Sequence, residues 1–418
     1  MWKFLKIFGI FIVLYHILVT IIVYGIFGGN YAELPTLLRD GTWIIFFLTI
    51  FFVYNKHRKE YFEKRKYPRI ALIIMLVFGI SISLFKGKSL FDIFVGIKYG
   101  FFYMIIFLTA SFIGFVNREK IKKIKNIDII GKTLIGIVLT GFIWQGAKLI
   151  RPDFFMHIGY GPLNDFFFGQ NPPIYYLTGY QGTLRRQGLF AGPNNYGYFL
   201  VAFLPVILLF FKNLNKKIKY GFIGLWVVAI LLTLSRTAIL GGAFVFILLN
   251  INWIRKNKIK TGIAILIGIA LILALSFLKG SSTLNHIIAK FSSINYVVNN
   301  PGGLGLGTAG PAIHHNGTIL PENYFIQIML DIGTIGFILW AGVWFFILAI
   351  HKRIKYFWGK SENLKYNIIY QLWKYMDIGR LCLIFMGLFL HVFEDSMVNY
   401  LFFGFYGIIS GYLTKHKV

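Results

Sequence analysis

Three stretches of the chain hold residue types that group-transfer chemistry needs. The first is TLRRQGLFAGPNNYGYFL, residues 183–200. Arg185 and Arg186 precede a glycine turn, and Asn194 or Asn195 stands where it would cap a following helix, an N-terminus that favours an anion. The plain alternative is a loop-to-helix junction with two surface arginines. The second is LLTLSRTAILGG, residues 231–242, inside an apolar run whose one permanent charge is Arg236. An arginine within a membrane span costs at least about 2.5 kcal/mol, so ionisable groups there are functional by default. Guanidinium also suits bidentate phosphate binding. Snorkelling to the head groups is the competing role. The third stretch is NNPGGLGLGTAGPAIHHNGTILPEN, residues 299–323. Glu322 stands before a long apolar helix, where it would either complement the helix dipole or act as a general base. His314 and His315 lack a third ligand at metal-like spacing, so zinc is not expected.

Gly305, Gly307 and Gly310 satisfy G-x-G-x-x-G, but no β-α-β unit surrounds them and no G-K-[ST] follows, so neither a dinucleotide site nor a P-loop is read here. Gly305 and Gly307 are expected to let a tightly turned loop pack closely.

The elements that must position these residues are membrane helices. Hydrophobic residues make up 57% of the 418 and the mean hydropathy is +0.68, outside the range of a soluble domain. Apolar runs predict about twelve spans, at 4–27, 37–54, 70–85, 91–116, 129–150, 194–211, 220–234, 237–254, 261–278, 323–350, 378–394 and 397–414. Arg39 and Asp40 shorten the second. The basic N-terminus is read as a retained first span, because its apolar core is too long for a signal peptide and no cleavage site follows.

The net charge of +28 is not a nucleic-acid signature here. Its lysines and arginines fall in alternate short connections, 56–69, 117–126, 212–217, 255–260 and 351–367. The positive-inside rule makes these cytoplasmic and puts both termini inside. Arg236 then opposes the orientation signal, at a turn on the outer face. Two long connections, 151–193 and 279–322, also lie outside. They are rich in Pro, Gly, Asn and aromatics, so they are expected to be packed and functional. The chain thus reads as a single membrane domain: N-terminal helices 1–150, a first external loop 151–193, central helices 194–278 carrying the Arg236 turn, a second external loop 279–322 and C-terminal helices 323–418. The single cysteine, Cys382, excludes an internal disulfide or a thiolate metal site. No outer D-x-D pair points to a metal-dependent nucleotide-sugar transferase.

These stretches, in this order, resemble the O-antigen ligase/polymerase family of bacterial membrane proteins, over roughly residues 180–415. The family's R-x-x-G-x-F-x-x-P-N is matched from Arg185 or Arg186 to Asn194. Its S-R-[ST] turn is matched by Ser235, Arg236 and Thr237, with Leu240 completing R-x3-L. Its late G-x-G is matched by Gly305 and Gly307, and the G-x-x-G within the following helix by Gly333 and Gly336. Ligase members carry His-[NSQ]-x9-G-x-x-[GTY]. Here Glu322-Asn323 occupies the histidine position at the same spacing, which favours a polymerase over a histidine-using ligase.

The resemblance implies a GT-C-like, all-α polytopic membrane protein of the bacterial cytoplasmic membrane. It implies a donor glycan on undecaprenyl diphosphate, joined on the outer face to another repeat unit or, in ligases, to a lipid, protein or wall acceptor. No metal, nucleotide or nucleic acid is implied; membrane lipid, a flippase and a chain-length regulator are the expected partners. Arg236 with Arg185 or Arg186 would bind the diphosphate, Asn194 would help, and Glu322 would be the base, with His315 or His314 in reserve. A secondary transporter or a lipid-linked glycan flippase are the rivals. Twelve helices with both ends inside fit a transporter, but no repeat relates the halves and few intramembrane acids are present.

Overall fold

The computed structural model describes residues 14–15, 17–27, 40–42, 52, 55–118, 128–161, 173–178, 183–211, 215–257, 281–310, 318–360, 367–394 and 396–414. The expected span 261–278 lies outside them, as do residues 4–13 and 16 of the span 4–27 and most of 37–54. The protein is a mostly helical, polytopic membrane protein. Its helices, in order, are α1 (Asn55–Lys64), α2 (Lys66–Phe85), α3 (Leu90–Gly100), α4 (Phe102–Val116), α5 (Asp128–Ile150), α6 (Pro152–His157), α7 (Pro193–Phe210), α8 (Lys216–Leu232), α9 (Arg236–Leu249), α10 (Ile251–Lys256), α11 (Ser281–Asn299), α12 (Tyr324–Lys360), α13 (Ile368–Gly387) and α14 (Ser396–Thr414). A π-helical segment, Thr20–Ile26, precedes them, and β1 (Tyr176–Thr178) and β2 (Thr183–Arg185) lie between α6 and α7. Among the described residues four helices are long and apolar enough to cross a membrane, or five if the bent pair α3–α4 is one span.

The chain divides into two compact units. The first comprises Met1–Arg39, Asn126–Asn285 and Tyr375–Met386. Its centre is α7, whose residues Tyr198 to Val201 are all buried. A helix apolar on every side and buried on every side is wrapped by protein rather than lipid. Helices α5, α8 and α9 pack on it. The crossing with α9 is close, because a Cβ on Gly197 would come within 2.6 Å of the Ala238 methyl. Trp226 of α8 donates its indole N–H to the Leu200 carbonyl at 2.8 Å.

The second unit comprises Asp40–Lys125, His286–Lys374 and Gly387–Val418. Here α14 lies along α4, and α12 along α2. The α14–α4 contact runs through Gly407, Gly411 and Gly114, where any Cβ would meet the backbone of Phe107, Ser111 and Ile408. Small residues at such spacing let backbones approach where no hydrophobic effect drives them together.

Several elements differ from the sequence reading. The run 91–116, expected as one span, breaks after Gly100 and bends by 64°. A break in an apolar helix orphans carbonyls, and the Tyr324 hydroxyl donates to the Gly100 carbonyl. Tyr324 also bonds Tyr103 at 3.0 Å, and Trp340 donates to Tyr103 at 3.1 Å. The basic connection 56–69 is helical over Asn55–Lys64, and Arg65 is fully buried. Its guanidinium donates to the Ser410 hydroxyl at 2.9 Å and the Thr414 hydroxyl at 2.7 Å, so one positive charge of that set secures α14. The two long connections hold their own structure: α6 and the strand pair in the first, α11 in the second. The expected span 378–394 belongs to a helix that starts at Ile368 and ends at Gly387.

Candidate functional site

In the first unit, the strand pair sets the arginines. Tyr176 stands opposite Arg185 in the antiparallel register, and its hydroxyl donates to the Ala191 carbonyl at 2.9 Å. Facing them is the α8–α9 turn. Helix α8 ends at Leu232, Leu234 takes a left-handed φ of 49°, and the Ser235 hydroxyl caps α9 by accepting from Ala238 N–H at 3.4 Å. Arg236 is therefore the first residue of α9, at a helix N-terminus rather than inside a long span.

Two bonds tie the strand end to the turn, and a third ties it to α7. The Arg186 backbone N–H donates to the Leu232 carbonyl at 2.9 Å. Arg185 Nε donates to the Thr233 carbonyl at 3.0 Å, and Arg185 Nη2 to Asn194 Oδ1 at 2.8 Å. One guanidinium thus holds the turn that carries Arg236 and the first turn of α7. The two arginines left open by the sequence separate here: Arg185 is the fork, whereas Arg186 contributes its backbone. Asn194 does not cap α7. The helix starts one residue earlier, with Gly192 as cap and Pro193 at N1, where a missing N–H costs nothing. That frees the Asn194 amide to accept from Arg185.

Arg185 is half-buried. Burial pulls its guanidinium down to about 10, against the nearby Tyr198 and Tyr176, and the like charge of Arg236 adds to the lowering. It stays positive at neutral pH. Two cations in electrostatic reach of one another repel, and an anion between them would turn that repulsion into attraction. Arg185 Nη1 takes no protein partner among the described residues.

In the second unit, Glu322 also has a left-handed φ, 53°. Leu234 and Glu322 are the two non-glycine residues with positive φ among those described. Such positions cost on the order of 1–3 kcal/mol each and gather at functional sites. Glu322 does not cap α12. Asn323 does, its Oδ1 accepting from Phe325 and Ile326 N–H at 2.9 and 3.1 Å. Asn323 Nδ2 donates to the Leu388 carbonyl at 2.8 Å, tying this corner to the turn that carries His391. Glu322 and Lys290 both lie within electrostatic reach of His391, whose Nδ1 bonds Gln327 Oε1 at 2.8 Å.

The glycine loop packs on α12. Gly305 and Gly307 have φ of 97° and 80°, and a Cβ on Gly307 would strike the Asp92 carbonyl of α3. Helix α12 is broken at Gly333, φ 71°. The carbonyls freed there are taken up by the loop: Leu304 N–H donates to Leu330 O at 2.7 Å, and Gly305 N–H to Asp331 O at 3.0 Å. The Asp331 carboxylate accepts from Thr308 and Ala309 N–H at 3.2 and 3.0 Å. His314 and His315 lie outside the described residues. Among those described, no three His, Cys, Asp or Glu side chains gather as a metal site would need.

Sequence reasoning missed His391, Gln327 and Asp331. His391 carried one signal, a lone histidine three residues before the Glu394-Asp395 pair between two apolar runs. Asp331 stands within an apolar run with no motif around it, and its partners are the loop amides of Thr308 and Ala309.

No family model and no solved structure matches the chain. It is similar to an O-antigen polymerase of Salmonella muenchen, 23% identical over 365 residues that cover 80% of this chain and 87% of that protein. That similarity agrees with the resemblance read from the arginine and glycine motifs.

Proposed function

We propose that the protein polymerises oligosaccharide repeat units carried on undecaprenyl diphosphate into a capsule, exopolysaccharide or O-antigen, on the outer face of the bacterial cytoplasmic membrane. The reading includes twelve spans, a GT-C-like arrangement and both termini in the cytoplasm. The observation that carries it is the Arg185 fork beside Arg236, in a chain similar to an O-antigen polymerase along most of its length. A sugar hydroxyl of one lipid-linked unit attacks the anomeric carbon of another. The new C–O bond forms as the bond to the diphosphate breaks, and the carrier leaves as undecaprenyl diphosphate. Arg185 and Arg236 hold the growing charge on that leaving group, a form of transition-state stabilisation. Asn194 fixes Arg185, and Arg186 adds positive charge nearby. Glu322 takes the hydroxyl proton, with His315 or His314 as the alternative acceptor. In this reading the arginines, rather than a metal or nucleotide, meet the diphosphate. A flippase supplies the donor, and a chain-length regulator sets the product.

The test is Arg236→Lys in a polymer-producing strain, with protein levels matched. Lysine keeps the charge but not the fork, so long chains should be lost. Wild-type chain lengths would remove Arg236 from the clamp. Glu322→Gln should slow turnover by about 10²–10⁴-fold; if His315→Ala alone is inactive, the base is the histidine. A deletion strain that shows single repeat units on the surface supports polymerase. Polymer stranded on its carrier means ligase, and units held on the inner leaflet mean flippase.

A further inference from the structure

A second polar cluster in the first unit is not used by the clamp. Lys148, near the end of α5, is 1% exposed, and its Nζ lies 3.8 Å over the Tyr160 ring. No carboxylate among the described residues pairs with it. One turn earlier on the same face, Gln145 Oε1 accepts from Gln187 N–H at 3.2 Å. Its own Nε2 is buried without a partner, as are both side-chain amide atoms of Gln187. Gln187 is 0% exposed. The cluster adjoins the arginine strand. Gln187 is two residues after Arg185, and the Tyr175 hydroxyl, next to β1, donates to the Lys148 carbonyl. Trp144 packs edge-on against Phe155 and joins the wall that Tyr160 forms.

Buried cations and amides are costly when unpaired. A group of them, facing an aromatic wall, is satisfied by a ligand with complementary chemistry. The donors are an ammonium and amide N–H groups, one amide oxygen can accept a hydroxyl, and the aromatic rings offer a face for a sugar ring. We propose that Lys148, Gln145 and Gln187 form a subsite for an oxyanion carried by the glycolipid substrate. That oxyanion is either a carboxylate on a sugar of the repeat unit or a phosphate of the carrier. The assignment rests on the polymerase reading.

The test uses the full-length protein in lipid nanodiscs and three probes: an oligosaccharide with one uronic acid, the same oligosaccharide with that carboxyl reduced, and undecaprenyl diphosphate without sugar. Binding is compared in wild type, Lys148→Gln and Lys148→Met. Loss of one charge-assisted contact should weaken one of the two anionic probes by about tenfold or more, leaving the reduced oligosaccharide unchanged. Weakening of the uronic acid probe places a sugar carboxylate in the subsite, and weakening of the carrier places its phosphate there. Lys148→Met should also melt higher than wild type without ligand, because it removes an unpaired buried charge. If both anions bind the lysine variants as they bind wild type, the subsite is overturned while the polymerase reading stands. If wild type binds none of the three, both are overturned.

Discussion

Arg185→Lys isolates what the fork does. Arg185 bonds in two directions, to the Thr233 carbonyl at 3.0 Å and to Asn194 at 2.8 Å. Lysine keeps the charge but offers one compact ammonium, so it satisfies one of the two acceptors from a given position. The lost bond is charge-assisted and worth about 1.5–3 kcal/mol. At 1.4 kcal/mol per tenfold, that corresponds to about 10- to 150-fold in whatever equilibrium the bond serves. The Thr233 bond joins strand to turn, so its loss disturbs the placement of Arg236. Polymer formation by the purified variant on lipid-linked repeat units, followed as product ladders over time, should fall by that factor in kcat/KM. Thermal melting of the same sample separates this from unfolding. Asn194→Asp makes a matched control. A carboxylate at that position binds Arg185 more tightly but neutralises the cation, so the variant should melt higher and polymerise more slowly. If Arg185→Lys and Asn194→Asp both polymerise at the wild-type rate with wild-type melting, Arg185 neither holds the turn nor meets the diphosphate.

Other substitutions probe the second unit. Gly333→Ala forces a side chain into a left-handed backbone and within 2.5 Å of the Gly302 carbonyl carbon, so it should lose folded protein in a detergent-stability assay. Gly342→Ala, on the same helix with nothing within 4 Å of the new methyl, should be neutral or gain up to about 1 kcal/mol of helix propensity. Asp331→Ala leaves two loop N–H groups without their acceptor, at about 1–3 kcal/mol each, whereas Asp331→Asn keeps an oxygen and should melt much closer to wild type. Gly411→Leu must push α14 off the Ser111 backbone and should abolish accumulation of the folded protein, read by fluorescence-detected size exclusion.

The Arg236 turn is legible in the sequence because one charge stands between two apolar runs on the face poor in Lys and Arg, and the structure adds Ser235 as the cap of α9. It could not show that Arg185 crosses to Thr233, 48 positions away, since a long-range bond leaves no local pattern. Asn194 fits a helix cap by type and place, and Glu322 fits either a helix-dipole partner or a base, yet Gly192 and Asn323 take the cap positions. The bend after Gly100 was hidden for another reason. Membrane helices are apolar on most faces, so a run such as 91–116 keeps its hydropathy through a 64° break and only an orphaned carbonyl records it. Arg65 was counted with a basic connection because charge says nothing about depth, and its partners Ser410 and Thr414 lie at the far end of the chain.

The glycine loop and the broken helix also impose an order of assembly. Thr308 waits for an acceptor on Asp331, which is 23 residues further along. At about 5–20 residues per second of synthesis, that is a delay of about 1–5 s. During it the loop has left the ribosome, and the N–H groups of Leu304, Gly305, Thr308 and Ala309 lack their native acceptors. The carbonyls of Leu330 and Asp331 arrive together with the kink at Gly333, so a single late event completes both segments. Damage at Asp331 or Gly333 is then a fault of biogenesis, met first by the cell's membrane proteases and visible as missing protein before any turnover can be measured.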